Sequence, residues 1–148
     1  SLSDESSQKI KTVGIITLDC FFKDHDFSQI LIQKLQRRNP KIYSYRKFSK
    51  HDQKSYKHFS EKDFNWKGDI LDTSLQSFLD EPFDLLICFY SKKNIFLEYL
   101  EASSKTFFKV GFSEASTGFF DLDIACDINQ ADLFFDEMKK YLEILHKF

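Results

Sequence analysis

The 148-residue chain carries 21 Lys and Arg against 23 Asp and Glu, a net charge of −2, with 42% apolar and 30% charged residues. That length fits one domain, and that balance excludes a disordered chain. The longest apolar runs fall far short of the roughly 18 residues that a membrane-spanning helix needs. Eighteen Phe against four Gly and two Pro predict a few long regular elements around a ring-rich core.

Residues 1–10 begin polar and read as a frayed N-terminal segment, followed by a single domain over 11–148. Lys11–Leu18 (KTVGIITL) is a β-branched apolar run of strand length. Phe27, Ile30, Leu31 and Leu35 then recur at helical spacing, Arg37 and Arg38 suit the helix end, and Pro40 stops it. Lys41–Phe48 reads as a half-exposed strand, Ser55–Phe59 as a short edge strand, and Phe64–Asp69 as a loop with a Gly turn. Thr73 with Gln76 forms a capping box for a short helix that ends before Pro82. Asp84–Tyr90 (DLLICFY) lacks polar alternation, the mark of a strand covered on both faces in a parallel sheet. Asn94 caps a helix over Ile95–Ala102, and Lys105–Phe112 and Asp121–Cys126 are further strands. Asn129 caps the last helix, whose stripe of Phe134, Met138, Tyr141, Leu142 and Leu145 faces the core. Strand and helix alternate almost throughout. The expectation is a three-layer α/β fold: a mostly parallel central sheet, helices on both faces, and Lys11–Leu18 beside Asp84–Tyr90 at its centre. A strand order of 3-2-1-4-5-6 completes it, making the fold Rossmann-like.

Charge is unevenly spread. Lys41–Asp69 holds eight Lys and Arg against four acids, whereas Ser113–Phe148 holds eight acids against three lysines. Cys20, Cys88 and Cys126 are odd in number and widely spaced, which gives no disulfide framework and no metal-ligand cluster. With no visible signal segment they favour a cytoplasmic setting, although the chain starts at Ser1 rather than Met and what precedes it is not seen.

The chemistry-bearing motifs are mostly missing. Asp19-Cys20-Phe21-Phe22-Lys23 follows the first strand without a glycine, so the backbone approach that a dinucleotide fingerprint needs is not available. GxxxxGK[ST], GxSxG and HExxH are likewise absent. Asp121, Asp123 and Asp127 have no histidine beside them and read as edge-strand solubility rather than metal ligands. No cofactor or metal is expected. The ligand crevice of such a sheet lies at the carboxyl ends of its central strands, where Asp19, Cys20, Tyr90, Ser91 and Lys92 fall. Cys20 with His25 raises a thiolate–imidazole reading, but the plainer one is a structural thiol. Separately, Tyr56, Lys62, Trp66 and Lys67 mark a partner surface, because the basic segment also holds the only Trp.

The strings DFNWKGDI (63–70), FDLLICFY (83–90) and FFKVGF (107–112), in that order, resemble an uncharacterised bacterial domain-of-unknown-function family over most of the chain. The resemblance implies a compact bacterial domain and carries no activity, cofactor or catalytic residue. The order of FDLLICFY, helix and FFKVGF is also similar to part of the N-terminal domain of bacterial two-domain glycosyltransferases, a likeness of fold that does not fix function. The resulting reading is a non-catalytic binding or accessory domain with a protein partner. Its alternative is a small-ligand or sugar-nucleotide-related enzyme at the crevice. Nucleic-acid binding through 41–69 is a further and less favoured alternative.

Overall fold

The computed structural model describes residues 9–52, 57–115 and 117–148. Val13–Leu18 (β1) leads directly into the short helix Asp19–Asp24 (α1), then into Phe27–Leu35 (α2). Lys41–Tyr45 (β2) and the two-residue strand His58–Phe59 (β3) come next, followed by Thr73–Asp80 (α3). Leu85–Phe89 (β4), Ile95–Ser103 (α4), Lys109–Phe112 (β5), Leu122–Ile124 (β6) and Ala131–Ile144 (α5) complete the order. The strands form one sheet, β3-β2-β1-β4-β5-β6, and every pair in it is parallel. The expected three-layer architecture and strand order are therefore found, with β1 and β4 paired at the centre.

The side-chain period of two explains the layering. Val13 and Ile15 of β1, with Leu85, Ile87 and Phe89 of β4, join Phe27, Leu31 and Leu35 of α2 and Phe134, Phe135, Met138 and Leu142 of α5 in one core. Ile16 with Leu86, Cys88 and Tyr90 points to the other face, against Leu75, Phe78 and Leu79 of α3 and Leu97 and Leu100 of α4. Phe89 anchors the first core. Phe21, Phe27, Phe112 and Phe134 meet it edge-on at centroid distances of 5.1–5.6 Å. Burying one such ring contributes roughly 1.5–3 kcal/mol.

Several local readings need correction. The cap of α3 is Asp72, whose Oδ1 accepts from the backbone of Ser74 and Leu75, rather than Thr73 in a capping box. A carboxylate there also meets the positive end of the helix dipole. Asn129 does not cap α5; its N–H donates to Asp127 Oδ1 in a turn one residue earlier, and the N-cap is Gln130. The core stripe of α5 is Phe134, Phe135, Met138 and Leu142, while Tyr141 and Leu145 stand exposed at the far side of the helix. Asn94 caps α4 as expected, accepting from Phe96 and Leu97. Of the short edge strand, Ser55 and Tyr56 lie outside the described residues, and so does most of the frayed stretch at 1–8. Ile10 is 1% exposed and donates its N–H to the Lys147 carbonyl at 2.7 Å.

Gly111 makes one close approach that only glycine permits. It lies in β5 between Cys88 and Asp123, and a Cβ there would sit 2.2 Å from Phe120 Cζ. Gly111→Ala is expected to cost about 1–3 kcal/mol in urea unfolding, the usual penalty for overfilling a packed site. Most of that penalty should vanish in a Phe120→Ala background. Equal penalties in the two backgrounds would show that the ring is not the obstacle.

Candidate functional site

In an open parallel sheet the ligand end is the carboxyl end of the strands, beside the point where strand order reverses. Here that point lies between β1 and β4. The glycine-free junction begins α1 at Asp19 itself, with no loop between strand and helix. Cys20 consequently faces solvent. His25 donates from Nδ1 to the Phe21 carbonyl and stacks on Phe27, so its described contacts do not include the thiol. Asp19 turns away from β4 and toward β2 and β3. Its Oδ2 pairs with Lys23 at 3.1 Å, and its buried Oδ1 has no hydrogen bond but lies 3.4 Å from His58 Nδ1.

The β4 tip behaves differently. Tyr90 is fully buried and donates its hydroxyl to Glu101, a residue of α4 that is itself wholly removed from solvent. Thr117 donates to the second oxygen of Glu101 at 2.9 Å, and Lys109 reaches the Glu101 backbone carbonyl. Burial pushes the Glu101 carboxyl up to about 7, although the bonds from Tyr90, Thr117 and Cys88 pull the other way. Burial, and then the Glu101 charge, push the Tyr90 phenol far upward and the Cys88 thiol well above its ordinary range. Of the five expected crevice residues, Asp19 lies with β2 and β3 and Tyr90 with α4, while Cys20 and Lys92 face solvent and Ser91 is half-buried.

The Asp19 neighbourhood contains groups that the sequence reading passed over. Ser44 Oγ, fully buried in β2, contacts His58 Nδ1 in β3 and donates to the Lys57 carbonyl at 3.3 Å. Burial, and then the Arg46 guanidinium, hold the His58 imidazole below its ordinary range. Arg46 pairs with Asp52 at 3.4 Å. Next to these groups a cavity of about 230 Å³ opens, walled by Arg46, Lys47, His58, Ser60 and Lys62 among others. A larger cleft of about 890 Å³ runs along the first half of β2, between the α1–α2 connection and α3. The sequence did contain a signal for Ser44 and His58: a polar residue in the first parallel neighbour of the central strand, paired across to a histidine. For Glu101 the signal was its place on the apolar stripe Leu97, Leu100, Glu101.

In the basic segment, Tyr56 lies outside the described residues. Trp66 is 90% exposed. It stands on a rigid turn: Gly68 N–H donates to the Asn65 carbonyl, Asn65 N–H to the Asp69 carbonyl, and Asn65 Oδ1 accepts from the backbone of Lys67 and Asp69. Gly68 supplies the left-handed φ of 87° that closes the turn. Lys67 Nζ lies 5.3 Å from the Trp66 ring centre, and Lys62 Nζ 5.6 Å from that of Phe48. Among the described residues no group of three His, Cys, Asp or Glu is placed to hold a metal ion, and no helix is long and apolar enough to cross a membrane.

The chain is thus an α/β protein of the doubly wound, Rossmann-like class, built without the glycine fingerprint. Residues 1–145 match the Family of unknown function (DUF6913), and the chain belongs to that family. Among curated proteins and among solved structures, nothing matches it.

The Glu101 carboxyl gives stability a definite pH dependence. Its folded value of about 7 lies above the ordinary 4.5, so the folded state holds this proton more tightly than the unfolded chain does. Its contribution is fully present below pH 4.5, is lost as pH rises toward 7, and is constant above that. The loss should be about 3 kcal/mol. Glu101→Gln keeps a neutral isostere and should flatten this part of the curve when urea midpoints are measured at successive pH values. Parallel curves for the two proteins would exclude Glu101 as the titrating group.

Proposed function

We propose that this protein is a non-catalytic binding module that contacts an acidic segment of a partner protein through Trp66 and the lysines around it. The observation that carries the reading is the 90% exposure of Trp66 on a turn that its own hydrogen bonds make rigid. Leaving an indole in water forgoes the free energy of its burial, and aromatic residues held in fixed orientation are the commonest binding anchors. Leu71, 59% exposed, continues the apolar patch.

Charge supplies the partner's chemistry. The acids of this segment are engaged by internal hydrogen bonds: Glu61 accepts from Tyr45 and the Phe48 backbone, Asp63 from Ser60, and the exposed Asp69 from Asn65. Lys62 and Lys67 lie over aromatic rings and make no ion pair among the described residues. Cations held against rings, with no internal counter-ion, steer an acidic surface toward the indole. A nucleic acid would demand several open rings along a phosphate track. Tyr43, Tyr45, Phe59 and Phe64 are instead buried or half-buried, leaving Phe48 and Trp66 as the open rings among the described residues of this segment, which favours protein over nucleic acid.

A photo-crosslinking amino acid at position 67, used in cells, tests this reading. The expected product joins position 67 to an acid-rich peptide of one protein, and both Trp66→Ala and Lys62→Glu should abolish it. A crosslinking pattern unchanged in these variants, or a crosslink to nucleic acid, overturns the reading. Trp66→Ala itself should leave stability within about 0.5 kcal/mol of the parent, as for other exposed positions.

A further inference from the structure

The hydrogen-bond bookkeeping around His58 assigns its tautomer. Ser44 has one hydroxyl proton and two contacts, the Lys57 carbonyl and His58 Nδ1. The Lys57 carbonyl already accepts from the Ser44 N–H at 2.9 Å and can take the hydroxyl proton as well, which leaves Ser44 Oγ able to accept from Nδ1–H. Asp19 Oδ1, buried and otherwise without a partner, lies 3.4 Å from the same nitrogen. A bare Nδ1 would set a lone pair against that carboxylate, whereas Nδ1–H faces it favourably. All three acceptors agree with one state: neutral imidazole, protonated on Nδ1, with Nε2 unprotonated. The depressed basicity of this ring is consistent with that neutral form. Among the described residues Nε2 has no hydrogen-bond partner.

His58 also walls the cavity of about 230 Å³. That volume lies below the usual range for drug-sized ligands, which favours a small metabolite over a sugar nucleotide. Three carboxylates share its wall, but each is already engaged: Asp52 with Arg46, Asp63 with the Ser60 N–H, and Asp72 with the first turn of α3. Arg46 uses only Nε on Asp52, and Lys62 makes no ion pair among the described residues. The cavity wall therefore combines cationic donors with an imidazole whose Nε2 has no partner among the described residues.

We infer that this cavity, at the carboxyl ends of β2 and β3, binds a small hydroxylated organic anion. Its hydroxyl donates to His58 Nε2, and its carboxylate or phosphate pairs with Arg46 and Lys62. Asp19 and Ser44 are positioning residues, which hold the imidazole in the accepting tautomer without touching the ligand. The site shares Lys62 with the proposed protein-binding surface but uses neither Trp66 nor Lys67, and it does not depend on the protein-binding reading.

Nitrogen-15 NMR of the histidine rings tests the inference directly. In the free protein His58 should give the Nδ1–H pattern, and an Nε2–H pattern overturns the assignment. The probes are lactate and glycerol 3-phosphate, compared with acetate and inorganic phosphate, which lack the carbon-borne hydroxyl. One hydroxylated probe should shift the His58 Nε2 resonance saturably at millimolar concentration, and which of the two does so identifies the anionic group. Arg46→Gln/Lys62→Gln should weaken that binding at least tenfold, while Trp66→Ala leaves it unchanged. Ser44→Ala, chosen to retain His58, should mix the tautomers and weaken binding without removing the cations. No saturable shift from any probe, or equal shifts from the members of a pair with and without the hydroxyl, overturns the proposal.

Discussion

Everything in this fold depends on the parallel pairing of β1 with β4. The two strands meet in register from Val13 with Leu85 to Thr17 with Phe89, and each is covered by helices on both faces. Side chains lock the pair at both ends. At the start, Asp84 Oδ2 accepts from the backbone of Lys11 and Thr12, and Thr12 Oγ1 accepts from Asp84 N–H in return. At the finish, Thr17 donates its hydroxyl to the Phe89 carbonyl at 2.7 Å, in a region with no water to offer instead. A buried polar group left unbonded costs about 1–3 kcal/mol, so these bonds fix the register as well as the pairing. Strand order then spreads outward from the pair in both directions.

The same pairing decides where chemistry can sit. In a nucleotide-binding relative of this architecture a glycine loop follows the first strand and brings backbone N–H groups to a diphosphate. Here α1 starts at once, and the position that such a loop would occupy carries the Asp19 side chain. The polar groups offered at this end are therefore side chains, drawn from strands on one side of β1. Beyond β4, Tyr90 and Glu101 close the opposite side with a buried polar network, and Thr117 seals it from the loop before β6. The sheet's carboxyl edge is asymmetric: polar and open over β2 and β3, plugged over β4 and β5.

How much of this was legible depends on which physical signal each residue carries. The run 85–89 declared a doubly covered strand because burial on both faces removes the need for polar alternation, and β1, α2 and α4 followed from periodicity and alternation, whereas the strand order rested only on analogy with other doubly wound sheets. The cap of α3 was misjudged by one position because Asp72 and Thr73 both have capping side chains, and only the backbone dihedrals choose between them. Helix α1 carries no capping side chain at Leu18 and no buried residue, so nothing in its six residues announces it. Residue type alone argued against the exposure of Trp66, since an indole in a glycine-containing loop more often plugs a core than leaves it. What decided the matter is Asn65, whose side chain folds the turn on itself. The approach of His58 to Asp19 and Ser44 joins three separate elements, and it became visible only once the strand register placed Ser44 opposite His58.

The central position of β1 has a price at birth. Thr17 and Phe89, the residues that close the β1–β4 register, are 72 positions apart. A ribosome adds about 5–20 residues each second. For several seconds, then, the nascent chain carries an apolar strand whose later partner has not been made. During that interval β1 can pair on one side with β2, but its other edge stays open, and such an edge will accept any strand that presents itself. The cell's chaperones would meet this protein chiefly as a half-built sheet. Substitutions that slow the emergence of 85–89, or that make β1 stickier, would reduce yield without altering the stability of the finished fold.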